Sequence, residues 1–288
     1  MTDIPTDGIG VSNDLYAFLQ AFFKEHPQLV KNDFYITGES YAGHYIPALA
    51  SRVHKGNKNK EGNIINFKGF AIGNGLTNPE IQYPAYTQFA VDNKLITKED
   101  QADINKLIPF CVGAAKNYVS KGGESYETAL QQCQLIFTNI LAIAGNINTV
   151  KDVLGVGKIK FVSCSSEVPT ALVQDWMLNY EKDIPALIED GIKVLIYAGE
   201  SDLIYNWLGN SQWVHAMKWS GQKQFGASKT VPFLVNGKNA GSLNSYGALS
   251  FLKLGSKGRF GTVLKFWCSC SGPSIGMPMK PLWSLNSK

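Results

Sequence analysis

The spacing of apolar residues predicts that helices and strands alternate from the start of the chain. From Ser12, which we expect to be the N-cap, apolar residues recur at helical intervals until Pro27 interrupts them. A short apolar run, Asp33–Thr37, then has the length of a buried strand. A second helical pattern follows it and ends near Lys55-Gly56. This order of elements is typical of α/β proteins.

Later runs extend this picture to a larger sheet. Phe67–Ile72 and Lys193–Ala198 are apolar and end at Gly, Asn or Asp residues, which predicts buried parallel strands. Val231–Val235 and Leu249–Leu254 flank an Asn-Gly turn and predict a hairpin-like pair. The residues from about 78 to 170 are mostly helical in pattern and predict an inserted cap. We therefore expect an α/β fold with a mostly parallel central sheet flanked by helices.

Composition limits the class of protein. The chain has 288 residues, of which 44% are hydrophobic and 17% charged, which fits a single globular domain over residues 1–288. Residues from about 257 to 288 lack clean periodicity and form a divergent tail. No apolar stretch reaches the ~18 residues that span a bilayer, so we expect no membrane segment. Met1–Gly10 also lacks the basic and apolar regions of a signal peptide.

Charge and cysteine spacing argue against a nucleic-acid-binding protein and against a zinc protein. The net charge of +4 is mild and forms no dense basic stripe, so we expect no nucleic-acid partner. The five cysteines lack the paired spacing of a zinc site, and we expect neither a metal nor a cofactor. The oligomeric state is not indicated.

The segment Gly38–Gly43 (GESYAG) carries the strongest chemical signal. It follows a predicted strand and precedes a predicted helix, the setting in which hydrolases present a nucleophilic serine on a sharp turn. Ser40 is the candidate nucleophile. Ala42 stands where this motif has its second glycine, and it is small enough for the same turn. The alternative is an ordinary strand-turn-helix junction with a surface serine.

The partners of a serine nucleophile follow in the order acid, then histidine. Asp202 comes three residues after a predicted strand and fits the acid, although a turn residue or an N-cap for a helix near Asn206 would look the same. Only His215 follows Asp202, and its neighbours predict a helix packed on the core, where a base is poorly placed. His44 more simply packs or caps near the first turn of the helix predicted after Gly43.

The stretch from Gly10 to Leu254 resembles the plant-type serine carboxypeptidases of the α/β-hydrolase fold. The matching segments are GVSNDLYAFLQAFF, NDFYITGESYAGHYIPALASRVH, FKGFAIGNGLTNP, IPALIEDGIKVLIYAGE and NWLGNSQWVHAMKWSG. The resemblance implies release of C-terminal amino acids from peptides through an acyl-enzyme, with Ser40 as nucleophile and Asp202 orienting the histidine. It also implies that Glu39 holds the substrate's C-terminal carboxylate, which needs a shared proton and favours acidic pH.

Other implications of the resemblance concern the oxyanion hole and the compartment. The backbone N–H of Tyr41 would supply one oxyanion-hole donor. A location in the secretory pathway, in the vacuole or outside the cell would follow from the family. The family's Asn-Gly-Gly-Pro-Gly segment, which gives the second donor, does not occur in this sequence, so we expect a fold that is incomplete at the N-terminus.

The catalytic histidine is a further departure. Arg259 stands at the position where the family has its catalytic histidine, and a guanidinium cannot accept the serine proton. We therefore expect weak or no activity. The alternatives are a non-catalytic truncated or splice product, a binding module, or the related acyltransferase branch. Cys164 resembles a cysteine whose partner lies in the absent segment, while pairing of Cys111 with Cys133 is left open by the sequence.

Overall fold

The computed structural model describes residues 4–121, 125–144 and 171–255 of the chain. Within them a six-stranded sheet has the order β1-β2-β3-β6-β5-β4. The first four strands in this order are parallel, and β5 runs antiparallel to both of its neighbours. The strands are β1 Phe34–Glu39, β2 Phe67–Gly73, β3 Lys193–Gly199, β4 Val231–Val235, β5 Lys238–Tyr246 and β6 Leu249–Leu254.

Helices lie between the parallel strands, and several follow β2 in succession. Short 3₁₀ turns cover Pro27–Leu29 and Glu181–Asp183. The α-helices are α1 Gly8–Glu25, α2 Ala42–Asn59, α3 Pro79–Gln82, α4 Ala85–Asp92, α5 Lys98–Asn105, α6 Ile108–Lys121, α7 Ser125–Ala144, α8 Ile184–Glu189, α9 Trp207–Ala216 and α10 Gln222–Gly226. The expected α/β architecture with a mixed, mainly parallel sheet is confirmed.

The hairpin prediction named the wrong partner. Val231–Val235 does form β4, but it pairs with Lys238–Tyr246. Leu249–Leu254 pairs in parallel with β3 and antiparallel with β5. The intervening strand was missed because its sequence, KNAGSLNSY, is rich in Asn, Gly and Ser and shows no apolar run. Half-burial and ladder hydrogen bonds, which side-chain hydrophobicity does not reveal, hold it in the sheet.

Two predicted helix ends were also wrong. The N-cap of α1 is Asp7, whose side chain accepts a hydrogen bond from the Gly10 amide, whereas Ser12 lies inside the helix and is buried. Helix α2 continues past Gly56 to Asn59. Gly56 lies inside the helix and lets the Tyr16 ring pack directly against it, because a Cβ there would lie only 2.2 Å from the Tyr16 hydroxyl oxygen.

Buried apolar side chains form two main clusters. One lies between the sheet and its helices and includes Phe70, Ile196 and Trp213. The other lies among α4 to α7 and includes Ile136 and Ile140. The second cluster agrees with the helical pattern predicted after residue 78, while the cap as a separate unit stays a prediction.

A disulfide joins α6 to α7. Cys111 and Cys133 are both fully buried, and their sulfur atoms are 1.97 Å apart. This settles the pairing that the sequence left open. Arg259, Cys164 and the predicted tail, with Cys268 and Cys270, lie outside the described residues. Among the described helices, none combines the length and the apolar character needed to cross a bilayer.

Candidate active site

The carboxyl ends of the parallel strands bring the candidate residues to one edge of the sheet. Glu39, the last residue of β1, lies opposite Gly73 at the end of β2. Gly73 in turn lies opposite Tyr197 near the end of β3. The loops that follow these strands carry Ser40 and Asp202. Ligands of open α/β sheets bind at this edge, so the two candidates occupy the appropriate side of the molecule.

Ser40 occupies a tight turn with an unusual backbone. Its φ is 64°, in the left-handed region that serine rarely adopts. Its amide donates to the Gly73 carbonyl at 3.0 Å, and its carbonyl accepts from the amides of Gly43 and Leu76 at 3.0 and 3.1 Å. Strained backbones of this kind persist only where neighbouring groups fix them, and they concentrate at functional sites.

Small residues let the turn approach its neighbours. A Cβ on Gly43 would lie 2.2 Å from the Leu76 carbonyl oxygen, so the start of α2 contacts the loop after β2 directly. A Cβ on Gly38 would lie 2.7 Å from the Cβ of Ala42. Ala42 thus fits its place in the motif because the residue facing it across the turn is itself a glycine.

Asn74 follows Gly73, the residue that accepts from the Ser40 amide, and binds the end of β3 and the loop that carries Asp202. Its side-chain oxygen accepts from the Gly199 amide at 3.1 Å, and its side-chain nitrogen donates to the Tyr205 carbonyl at 3.2 Å. Asn74 is buried and has a positive φ of 39°. This role was not predicted from the sequence, although the Gly-Asn-Gly turn after a buried strand was a signal for it.

Asp202 is part of a turn and not a helix cap. Its Oδ1 accepts a hydrogen bond from the Tyr205 amide at 3.3 Å. The N-cap of α9 is Asn206, whose side chain accepts from the Gly209 amide at 2.9 Å. The alternative of an N-cap at Asp202 is therefore wrong, while its position in a turn agrees with both remaining interpretations. Burial raises the pKa of the Asp202 carboxyl.

The charge of Asp202 acts on Glu39. Desolvation, and secondly the negative charge of Asp202, raise the pKa of Glu39. Burial and then the charge of Glu39 raise the pKa of Tyr197 to about 12. Acidic groups thus face one another at the sheet edge and retain protons at a higher pH than isolated carboxyl groups do. A site of this kind accommodates an additional carboxylate when one of its groups is protonated.

None of the four histidines of the chain is hydrogen-bonded to Ser40 in the part of the chain that the structure describes. His215 lies on α9, as predicted. Each histidine has another contact. His26 packs on the Phe22 ring, and His215 Nδ1 lies 2.8 Å from the Ser211 carbonyl oxygen. His44 Nδ1 lies 2.9 Å from Asp175 Oδ2, and His54 Nε2 lies 2.8 Å from Asp190 Oδ2.

A buried polar cluster next to the Ser40 turn was not predicted from the sequence. Asp175 is fully buried and accepts four hydrogen bonds. Its Oδ2 accepts from the Tyr41 hydroxyl and from His44 Nδ1, each at 2.9 Å. Its Oδ1 accepts from the Tyr180 hydroxyl at 2.5 Å and from the Gly8 amide at 2.9 Å. No sequence motif connects these residues, which are far apart along the chain.

The described residues contain no group of three or more histidine, cysteine or acidic side chains that could hold a metal ion. Ser40, the carboxyl groups of Glu39 and Asp202, and the backbone amides at the start of α2 are polar groups that the described residues bring to this edge of the sheet.

Known proteins with similar sequences and structures agree with this geometry. The model of the serine carboxypeptidase family matches residues 2–148 and 142–260. Serine carboxypeptidase-like 48 of Arabidopsis thaliana is 56% identical over 285 residues, and serine carboxypeptidase 3 of Oryza sativa subsp. japonica is 54% identical over 282. Both alignments cover 89% of this chain and 56% of the relative, so the chain spans about half the length of these curated relatives.

A solved structure supports the same fold. The crystal structure of Kex1(delta)p, a prohormone-processing carboxypeptidase from Saccharomyces cerevisiae, superimposes with a TM-score of 0.74 at 21% identity. The match covers 95% of this chain and 69% of that one. With the family model matching most of its length and close plant relatives, the chain belongs to the plant-type serine carboxypeptidase family, a family of hydrolases with the α/β-hydrolase fold.

Proposed function

We propose that this chain carries the nucleophile and the carboxylate-binding part of a serine carboxypeptidase site, which releases C-terminal amino acids from peptides through an acyl-enzyme. The observation that carries the proposal is the left-handed turn at Ser40, directly after Glu39, at the carboxyl edge of the parallel sheet. At the same edge, the negative charge of Asp202 helps to raise the pKa of Glu39.

Each residue has a distinct part in this reaction. The Ser40 Oγ attacks the last peptide carbonyl and gives its proton to a base, and the C-terminal amino acid leaves with a proton on its nitrogen. Asp202 orients the histidine that serves as this base in the family. The Tyr41 amide stabilises the developing oxyanion, and Glu39, when protonated, donates to the substrate's terminal carboxylate.

Turnover by this chain is weak or absent in our proposal. All four histidines are engaged elsewhere, and Arg259 occupies the register of the family's catalytic histidine. The same observation favours a second candidate function: a non-catalytic product that binds peptide C-termini without cleaving them. In the acyltransferase branch the same acyl-enzyme would pass its acyl group to an alcohol, and an assay with an added alcohol distinguishes the two acceptors.

Fluorophosphonate labelling tests the nucleophile. We expect Ser40 of the unmodified chain to label about four to six orders of magnitude more slowly than a complete homologue, because loss of one triad member costs about that much. Ser40→Ala should abolish labelling, and Arg259→His should accelerate it. Labelling as fast as in the homologue would contradict the weak-activity proposal. Label retained in Ser40→Ala would contradict the assignment of Ser40.

Peptide binding at different pH values tests Glu39. Because the pKa of Glu39 is raised, it keeps its proton above the usual range of a glutamate. Affinity for a peptide with a free C-terminus should therefore fall as pH rises through that raised pKa, by up to about tenfold per pH unit. Glu39→Gln should remove this dependence, since an amide donates at any pH. Calorimetry between pH 4 and pH 8 measures the effect.

Two controls accompany the binding experiment. A peptide with an amidated C-terminus should bind without the same pH dependence, and Glu25→Gln, at the end of α1, should behave as the unmodified chain. A Glu39→Gln chain that loses affinity over the same pH range as the unmodified chain would contradict the role of Glu39.

We also propose that the protein resides in the secretory pathway, in the vacuole or outside the cell, as its family suggests. The buried disulfide between Cys111 and Cys133 supports an oxidising compartment, because such bonds are rare in the reducing cytosol. The proposed partners are the C-termini of peptides and proteins.

A further inference from the structure

We infer that Asp175 is a positioning residue for the Ser40 turn: as a buried carboxylate, it holds Tyr41 and His44, and through them the first turn of α2, in place. This inference rests on the proposed function, because the turn matters for chemistry only if Ser40 is the nucleophile and the Tyr41 amide its oxyanion donor. Asp175 itself touches no reacting atom.

The hydrogen bonds fix the charge of Asp175. A carboxylate can accept from four donors, whereas a protonated carboxyl would direct a hydrogen at one of them. Burial alone raises the pKa of Asp175, but the hydrogen bonds from His44, Tyr180 and the Gly8 amide outweigh it, so the pKa lies below its usual range. The four donors and the lowered pKa both favour the ionised form of Asp175.

His44 is neutral and donates through Nδ1. Burial is the largest influence on its pKa and lowers it, despite the neighbouring Asp175. Its Nε2 has no hydrogen-bond partner among the described residues, so a second proton there would be buried without an acceptor. The ring lies between those of Tyr41 and Tyr180, with centroids 4.7 Å from each. This packing and the hydrogen bond to Asp175 together hold the His44 ring in its orientation.

Both held residues belong to the turn that carries the oxyanion donor. Tyr41 precedes α2 as its N-cap, and the His44 amide donates to the Tyr41 carbonyl at 3.0 Å. The Tyr41 hydroxyl bond to Asp175 spans 134 residues of sequence. Asp175 thus connects a distant segment to the residue next to Ser40. Displacing an oxyanion donor by about 1 Å can lower a reaction rate by up to about a hundredfold.

The test compares Asp175→Asn, Tyr41→Phe and the double variant with Tyr45→Phe as matched control. Tyr45 lies one turn along α2, its ring is 5.2 Å from that of Tyr41, and its hydroxyl makes no hydrogen bond to Asp175 among the described residues. Fluorophosphonate labelling of the full chain gives a maximal rate and a half-saturating concentration. Resonances of ¹⁵N-tyrosine report on the Tyr41 amide without requiring Ser40 to react.

We expect Tyr41→Phe and Asp175→Asn to lower the maximal labelling rate about tenfold or more, with the half-saturating concentration unchanged. The double variant should fall no further than Asp175→Asn, because the bond that Tyr41→Phe removes is one of the four that Asp175→Asn already disrupts. In Asp175→Asn the Tyr41 amide resonance should move, and in Tyr45→Phe neither measurement should change.

Additive effects, or an unmoved Tyr41 amide resonance in Asp175→Asn, would overturn the inference. Failure of the unmodified chain to label at all counts against Ser40 as a reactive nucleophile and leaves the non-catalytic candidate, and the tyrosine resonances then decide on positioning alone. If Asp175→Asn does not fold, Tyr41→Phe still removes the single bond in question, and its effect relative to Tyr45→Phe decides.

Discussion

Ser40 holds a backbone conformation that costs a residue with a Cβ about 1–2 kcal/mol. Its amide and carbonyl are fixed by the loops after β1 and β2, so the surrounding fold maintains this conformation. The sequence could indicate that a sharp turn was needed here, because small residues surround the serine. It could not indicate the role of Asp175, because the contacts to Gly8 and Tyr41 link residues 167 and 134 positions apart.

We therefore expect Ser40→Gly to be more stable than Ser40→Ala by about 1 kcal/mol, since glycine adopts a positive φ without the steric cost of a Cβ. Ser51→Gly, within α2, is the control and should lower the free energy of unfolding by about 0.5 kcal/mol. Urea denaturation measures all three variants. A Ser40→Gly chain less stable than Ser40→Ala would show that the turn is not strained.

The elements differ in how much of them the sequence reveals. Strands β2 and β3 are buried runs of apolar residues, so their sequences predict them well. Strand β5 is polar and half-buried, and only its neighbours in the sheet define it. Helix α2 extends past Gly56, whose missing side chain makes room for Tyr16 of α1. Element type thus follows from local pattern, whereas boundaries and pairing depend on contacts between elements.

The disulfide between α6 and α7 should stabilise this pair of helices. Cys111 and Cys133 lie 22 positions apart, and closing a loop of that size in the unfolded chain contributes about 3 kcal/mol to stability. Reduction should lower the thermal midpoint by several degrees and should accelerate amide exchange in α6 and α7 more than in β1 to β3.

The double variant Cys111→Ala and Cys133→Ala provides the control for this experiment. Its thermal midpoint should not respond to reductant, because any response there would come from other thiols of the chain. An unmodified chain whose midpoint is the same with and without reductant would contradict the stabilising role of the bond.

At the scale of the molecule, the sheet and the helical cluster have separate apolar cores, and the candidate site lies at the carboxyl edge of the sheet. The α/β class and the placement of Ser40 and Asp202 at this edge could be predicted from the order of strands and turns. The bonds from Asn74, in the loop after β2, to the end of β3 and the Asp202 loop could not be predicted, since they depend on a buried side chain on a residue with a positive φ.

The long separation between Gly8, Tyr41 and Asp175 has a consequence for the order of events during synthesis. Ser40 leaves the ribosome together with its strand and helix, but the carboxylate that holds the neighbouring turn is made more than 130 residues later. Strand β3 and the Asp202 loop come later still. A nascent chain therefore contains the serine well before it contains the groups that organise it, and the site is completed only after most of the domain has emerged.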